Sequence, residues 1–499
     1  MKVRRRPLLP VFLSLMALSA AGVFSLSAQS SESAESSRST ENVQSESPDS
    51  TGADPEQADL SEFEQVFDEQ AGRLVTGTGT ESTPVSGTEV RASFPKLQYW
   101  LQLELFSGFS WNEKAPDEGQ TDQRGLSNLR GLLDASARLE LSDSWSLSGK
   151  LRFFYDAAFF LKGSDSYSSD FLSENAYGID VTELFLVGVV FPFWTVKVGK
   201  DFVGWGDSQY LAVLDEISPF DRRMPGVAEY KENRLAVLQW QNQFSRKHLK
   251  LGTYVFLSPT QDQLPTSGSP FYHGGTGQKN ETPAAFEPEF ALDLSLWTTS
   301  FDLSFVYAYY YRRQPYAAGV PGNLSLKYAR KHLAGLSASL SVWQLVLRSE
   351  WAFHLDETYP RDFVDVDHVT RLVGLAGIDF FIPVLSESLI SLEFRYTNLF
   401  APYSEEQEAL PYNPRQEQLN WAVGTEIGLL HAKLKLRAQV LSNGILFNDG
   451  GLLRLGATYD LTDHWSISGG AVFYMNGTDD RNTNVAEDQY VFAKLTLQT

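Results

Sequence analysis

From residue 97 to the C-terminus, apolar side chains recur at every second position. In "AKLKLRAQV", residues 432–440, Ala432, Leu434, Leu436, Ala438 and Val440 fall on one face of an extended chain, and Lys433, Lys435, Arg437 and Gln439 on the other. A helix would mix the two sets. The same division runs through "LQYWLQLEL" from Leu97, with Leu97, Tyr99, Leu101, Leu103 and Leu105 opposing Gln98, Gln102 and Glu104. It recurs in "WQLVLRSEWAF" from Trp343, where Arg348 and Glu350 oppose Leu347, Trp351 and Phe353. About 18 such segments are present, each long enough to cross a bilayer as a tilted strand, which takes roughly 9–11 residues. The predicted spans are 97–107, 130–141, 145–160, 180–191, 193–203, 233–244, 248–258, 286–297, 301–312, 323–341, 342–354, 367–380, 388–400, 417–430, 432–443, 450–461, 465–476 and 487–498.

The connections alternate between long and short. "NEKAPDEGQTDQRG" is followed by "SDS", "KGSDSYSSDFLSENA" by "PF", the stretch after Gly199 by "SRKH", and "SPTQDQLPTSGSPFYHGGTGQKNETPA" by "TTS". An up-and-down membrane barrel has this rhythm, with tight turns at one end and long loops at the other. "LSDSWSLSG" (141–149) and "LTDHWSISG" (461–469) read as equivalent periplasmic turns. Asp143 and Asp463 are expected to tighten the bend, and Trp145 and Trp465 to begin the next strand at headgroup level. A pair of soluble sandwiches is the structural rival. If the cationic face of 432–440 met lipid, each charge near the midplane would cost about 2–4 kcal/mol, so the apolar face takes the lipid and the basic face an enclosed aqueous lumen. The predicted fold class is therefore all-β, a transmembrane up-and-down antiparallel β-barrel.

Composition sharpens this picture. The chain of 499 residues has no cysteine, which removes disulfides, thiolate metal sites and a lipoprotein anchor, and 13% aromatics, which suits interfacial belts. A net charge of −21 disfavours nucleic acid. After the N-terminal segment, no run of about 18 apolar residues provides a spanning helix. Residues 1–28 have a basic start, an apolar middle and the small-residue end Leu26-Ser27-Ala28, the layout of a signal peptide, with an N-terminal membrane anchor as the alternative. Residues 29–96 read as a Ser/Glu-rich disordered tail on the periplasmic side, with one short amphipathic helix around Leu60, Phe63 and Phe67 and a Gly/Thr linker. Residues 97–499 form the barrel, expected in a bacterial outer membrane with its long loops at the cell surface.

The third long connection is unlike a solvated loop. "GKDFVGWGDSQYLAVLDEISPFDRRMPGVAEY", residues 199–230, carries Phe202, Val203, Trp205, Tyr210, Leu211, Val213, Leu214, Ile217 and Phe220 among acids and arginines. Those side chains need cover. One reading folds the segment into the barrel, where Trp205, Asp207, Asp215, Asp221, Arg222 and Arg223 would form a constriction; the other makes it a locally packed external lid. Residues 182–223 also resemble a recurring segment of porin-like outer-membrane proteins, in which a Gly-basic strand end leads to a Trp-Gly-acid turn and then to Asp, Pro and Asp. The matching positions are Gly199, Lys200, Trp205, Gly206, Asp207, Asp215, Pro219 and Asp221. The resemblance implies an outer-membrane, porin-like barrel whose third loop narrows the pore, and names no solute. The C-terminal "VFAKLTLQT" departs from the terminal aromatic that many such barrels present to the assembly machinery.

Alternation places Lys150, Arg152, Glu183, Lys197, Arg348, Glu350, Arg395, Lys433, Lys435 and Arg437 on the lumen side, where opposed rows of charge favour small polar solutes. Each could equally belong to a salt-bridged, solvated wall. Passive passage of small hydrophilic solutes is the leading function, and the alternative is an adhesin or structural barrel whose long loops bind a partner. Outer-membrane lipid and the barrel-assembly machinery are the other expected partners. An enzyme is disfavoured: of seven histidines, His354 alone sits at an inward position near a loop end. No catalytic set, metal motif or cofactor fingerprint emerges, since "GTGTES" and "GGTGQK" do not lie between a strand and a helix.

Overall fold

In a computed structural model, the described residues are 95–111, 124–224, 227, 233–265, 279–281, 283, 286–320, 323–361, 365–385, 387–400, 415–477 and 489–499. The expected signal peptide, tail, short helix and linker lie outside them. The strands are β1 (Lys96–Ser110), β2 (Gly125–Ser142), β3 (Trp145–Asp156), β4 (Tyr177–Phe191), β5 (Trp194–Asp201), β6 (Val237–Arg246), β7 (Leu249–Phe256), β8 (Lys279–Glu281), β9 (Glu289–Trp297), β10 (Phe301–Tyr311) and β11 (Tyr316–Val320). They continue as β12 (Asn323–Lys327), β13 (Arg330–Val342), β14 (Leu345–Pro360), β15 (Val366–Phe381), β16 (Leu389–Phe400), β17 (Glu417–Leu429), β18 (Leu434–Asn443), β19 (Gly451–Asp460), β20 (Trp465–Met475) and β21 (Tyr490–Gln498).

Eighteen strands form one antiparallel sheet in which each pairs with its neighbours in the chain, β8, β11 and β12 standing outside. The sheet closes on itself through β1 and β21, in register from Gln102 opposite Gln498 to Ser110 opposite Tyr490. Closure leaves no edge strand in the wall, so its backbone groups are satisfied without water. Along each strand the alternate apolar residues face outward and remain exposed. Leu97, Leu101, Leu103 and Leu105 on β1, Leu147, Leu151 and Phe153 on β3, and Phe353 and Leu355 on β14 are examples. A circumference of this kind is stable in hydrocarbon rather than water.

Turn chemistry explains the strand ends. The β2–β3 and β19–β20 turns share a device, but it sits one residue before the expected aspartates. Ser142 Oγ accepts from Ser144 N at 3.3 Å, while Thr462 Oγ1 accepts from His464 N at 3.2 Å and Trp465 N at 3.1 Å. A hydroxyl at that position reaches the backbone N–H groups of the bend. Trp145 and Trp465 follow as expected, partly exposed on the outer face.

Several predicted boundaries shift: β2 begins at Gly125 and not at 130, β6 at Val237 and not at 233, β14 runs on to Pro360 and not to 354, and three further shifts have a visible local cause. The span 145–160 ends at Asp156, whose buried carboxylate accepts from Leu129 N at 2.8 Å and Ala158 N at 3.1 Å, and the chain turns into the short helix α1 (Ala158–Leu161). The span 323–341 divides, because β12 pairs with β11 outside the barrel and only β13 reaches β10. The span 432–443 begins at Leu434, because Leu430, His431 and Ala432 all adopt positive φ (53°, 58° and 61°) in the preceding turn. Lys433 therefore lies exposed in that turn and not on the inner wall, its carbonyl accepting from Asp460 N at 2.8 Å.

Candidate functional site

The third long connection, 202–236, joins β5 to β6 and packs on inward-facing side chains of the wall. Val203, Trp205, Leu211, Val213, Leu214 and Ile217 form one apolar cluster with Val237 of β6, Tyr254 and Phe256 of β7, Ala291 of β9, Val306 and Tyr310 of β10, Leu333 of β13, Ala352 of β14, Val373 and Leu375 of β15, and Ala422 of β17. Fully covering each such side chain stabilises by about 1.5–3 kcal/mol relative to leaving it in water. The excess of greasy residues in a loop thus finds its cover inside the barrel.

Polar groups fix the path of the loop. Carboxylates of the wall, and not its cations, hold its backbone. Glu350 Oε1 accepts from Asp207 N at 2.6 Å and Ser208 N at 2.8 Å, and Glu393 accepts from Gln209 N at 2.6 Å, Tyr210 N at 3.0 Å and Leu211 N at 2.9 Å. Five consecutive N–H groups, which a strand or helix would have satisfied, are taken up by two acids. Arg348 sits beneath them. It pairs with Asp379 at 2.5 Å and Glu393 at 3.1 Å and donates to the Asp207 carbonyl. Arg395 Nη1 donates to Ala212 O at 3.2 Å. Close approach depends on glycine: a Cβ at Gly206, whose φ is +82°, would lie 2.7 Å from both Glu350 carboxylate oxygens.

Further along, Glu216 enters a second cluster. Its carboxylate meets Lys331 Nζ at 2.6 Å, Arg371 Nη2 at 3.2 Å, His354 Nε2 at 3.6 Å and the Tyr310 hydroxyl at 2.7 Å. Burial alone would raise the Glu216 carboxyl, but His354, Lys331 and Arg371 outweigh it and hold the group well below the usual carboxylate range. Glu357 completes the cluster, 2.6 Å from Arg371 and 3.3 Å from Lys331. His354 is thus one member of a charge network that receives the loop.

The six residues expected to form a constriction divide into three groups. Trp205 and Asp215 are buried, Trp205 edge-on to Tyr254 and Asp215 paired with Arg234 at 3.1 Å. They face wall and loop, not water. The Asp207 side chain is exposed. Asp221, Arg222 and Arg223 meet other connections: Arg223 grips Asp221 through two nitrogens (2.9 and 2.6 Å) and donates to Glu174 O at 3.1 Å, and Arg222 pairs with Asp262 of the fourth loop at 2.5 Å. Burial lowers the Arg223 pKa, but Asp221 more than compensates and raises it above the ordinary value.

Among the residues expected to line the lumen, Arg348, Glu350 and Arg395 carry the loop. Lys150 and Arg152 share Asp134, at 3.3 and 2.8 Å, and Lys197 pairs with Asp201 at 2.6 Å. Glu183 stands opposite Lys150 in the β3–β4 register. Lys435 pairs with Glu387 at 2.7 Å and Arg437 with Glu426 at 2.6 Å. The loop-facing set Glu216, Lys331 and Tyr310 escaped the sequence reading, since one sits in the loop and alternation marks the others only as inward. Glu393 of β16 and Arg371 of β15 sit at inward positions of their strands, which does not by itself mark them as partners of a loop far away in the chain.

The family model described as "Protein of unknown function (DUF1302)" matches residues 15–498, and the chain belongs to that family. No curated protein matches it. Among solved structures it is similar to the outer membrane channel DcaP of Acinetobacter baumannii, with 8% identity over 83% of this chain and 100% of that one and a TM-score of 0.41. It is also similar to OccK8 (OprE) of Pseudomonas aeruginosa (8% identity, 81% and 97%, 0.47) and to Salmonella typhi OmpF in complex with daunomycin (9%, 81% and 98%, 0.38).

Proposed function

We propose that this member of the DUF1302 family is a channel of the bacterial outer membrane for passive passage of small hydrophilic solutes, narrowed by its third loop. One observation carries the reading: a closed wall, apolar outside, holds a segment of its own chain against its inner face through Glu350, Glu393 and the Glu216 cluster. A barrel built only as a membrane anchor has no need of an interior segment fastened at Asp207–Leu211 and again at Glu216. A loop fixed inside an otherwise wide lumen reduces the cross-section and places fixed charge beside the remaining water, which is how rigid pores sort solutes. Asp207 and the Asp221, Arg222, Arg223 group are then the loop residues that solutes meet, and Trp205 and Asp215 hold the loop in place. Lys150, Arg152, Glu183, Lys197, Lys435 and Arg437 line the opposite side.

The short turns at one end of the wall, such as β2–β3 and β19–β20, and the long connections at the other support an orientation with the long loops at the cell surface. The adhesin reading draws on a separate observation, the three-stranded sheet of β8, β11 and β12 carried by the fourth and fifth loops outside the wall. Planar-bilayer recording of the refolded protein separates the two. Stepwise conductance that increases on deleting residues 204–223 supports the channel, whereas electrically silent barrels that still bind to cells or matrix through their loops support the adhesin.

A further inference from the structure

Gly456 of β19 leaves a gap in the wetted side of the wall. In the register it stands inward between Arg437 of β18 and Gly470 of β20, and a Cβ built on it would meet only the Gly469 carbonyl, at 3.8 Å. Gly470 is covered: the Phe492 ring of β21 lies across it, 2.7 Å from where its Cβ would stand. Gly456 is therefore the floor of a niche, with the half-buried Phe492 ring on one side and Arg437 on the other, its guanidinium 42% exposed and held by Glu426 of β17 at 2.6 Å. Two strand spacings separate β18 from β20, roughly 10 Å, which leaves room for one six-membered ring. Phe106 of β1 extends the aromatic side, stacked on Phe492 with 6.0 Å between centroids and 24° between planes. One row nearer the short turns, the inward hydroxyls of Thr458 and Ser468 stand opposite each other. One row nearer the long loops stand Arg454 and Val472, and there the third connection arrives: Met224 and Val227 pack on the cluster of Val472, Tyr474 and Tyr490, and Arg454 Nη2 donates to Val227 O at 3.2 Å. The narrowing segment thus crosses to this wall directly above the niche.

Resting on the channel reading above, we propose that this niche is a binding station for neutral saccharides of one or two rings. A pyranose has an apolar C–H face, which suits the Phe492 and Phe106 rings, and an edge of hydroxyls, which suits Arg437, Thr458 and Ser468. The charges nearby are matched: Arg437 by Glu426, Lys494 by Glu104 at 3.2 Å, and Lys435 by Glu387 at 2.7 Å. An ion of either sign is drawn to one member of such a pair and repelled by the other. A hydroxyl both donates and accepts, so it can use both members at once. A wholly apolar solute would cover the polar edge without replacing its hydrogen bonds to water, which costs binding energy. The combination of one aromatic face with a few convergent polar groups is what orients a small ligand in a site of this size.

Ion current through the full-length refolded protein in a planar bilayer, with maltose added as the probe, tests this. Maltose is expected to block the current reversibly and saturably, and sorbitol, which has the hydroxyls but no ring face, to need a concentration about tenfold higher, the scale of one aromatic contact. Gly456→Leu fills the niche and should raise the half-blocking maltose concentration by about tenfold. Phe492→Leu keeps the bulk and removes the aromatic face; it should act in the same direction, with Phe492→Tyr restoring the block, and it keeps the test available if the glycine variant does not refold. An open channel indifferent to maltose, sorbitol blocking as well as maltose, or a block untouched by both leucine substitutions overturns the proposal and leaves the channel reading standing. Absence of any conductance overturns the channel reading and this proposal with it.

Discussion

One half of this barrel is packed like a protein interior and the other is wetted like a protein surface, though the same alternation built both. From β7 to β17 the inward positions contain Tyr254, Val306, Leu333, Ala352 and Leu375, and the charges among them are buried and tied to the loop. From β18 round to β3 the inward positions include Arg437, Lys494 and Arg152, each of which reaches water. An inward position is therefore not a pore-lining position until the loop has been placed. Where the loop covers it, a charged residue anchors; where the loop is absent, it faces solute.

The contrast can be broken most severely at Glu393. Glu393→Ala removes the acceptor of three backbone N–H groups and one partner of Arg348, a loss of about 3–5 kcal/mol by analogy with other broken buried pairs. The expected result is a released loop, read as a severalfold larger single-channel conductance and new protease sites within 202–236. Unchanged conductance would show that the apolar cluster holds the loop without the acids.

Gly206→Ala should act in the same direction with a smaller effect. The positive φ and the 2.7 Å approach to Glu350 cost about 1–3 kcal/mol, which should appear as conductance flicker between two levels, while Glu350→Ala should relieve the clash and not add to it.

Acid supplies a third probe. The folded pKa of Glu216 is depressed, so its contribution to loop stability is present in full above the ordinary value of 4.5 and is lost only as pH falls through the depressed value. Conductance is thus expected to stay constant from neutral pH down to that ordinary value and to rise below it. Glu216→Gln should remove this dependence. Loop release already at pH 6 would assign the switch to another group.

The smallest effects are expected at the turns, outside the contrast altogether. Thr462→Ala loses two hydrogen bonds and should lower stability in detergent by about 1 kcal/mol, Ser142→Ala by less, and Asp463→Ala by a few tenths, with conductance unaltered in all three. An Asp463 effect as large as that of Thr462 would restore the aspartate to the role that its position in the motif suggests.

Much of the wall was legible because a strand in a barrel obeys a local rule. A side chain's neighbour in sequence points to the other face, so "AKLKLRAQV" could be sorted without knowing its partners, and each of the predicted spans overlaps one strand of the barrel. The errors fell where a local rule had a competitor. Lys433 continued the alternation on paper but was claimed by a turn of three left-handed residues, and Asp143 and Asp463 were credited with bonds that the hydroxyls before them make. The loop was legible as an anomaly, since its apolar residues required cover, but the sequence offered no way to choose among the surfaces that could provide it.

The sequence by itself determined the strand pattern, the face each side chain takes and the need of residues 202–236 for a partner, because these follow from the period of the backbone and the cost of wetting apolar groups. Only the tertiary structure decided which inward charges anchor and which face water. Glu393 and Gln209 are 184 positions apart in the chain, and their 2.6 Å contact exists only because closing the sheet carries β16 across from β5.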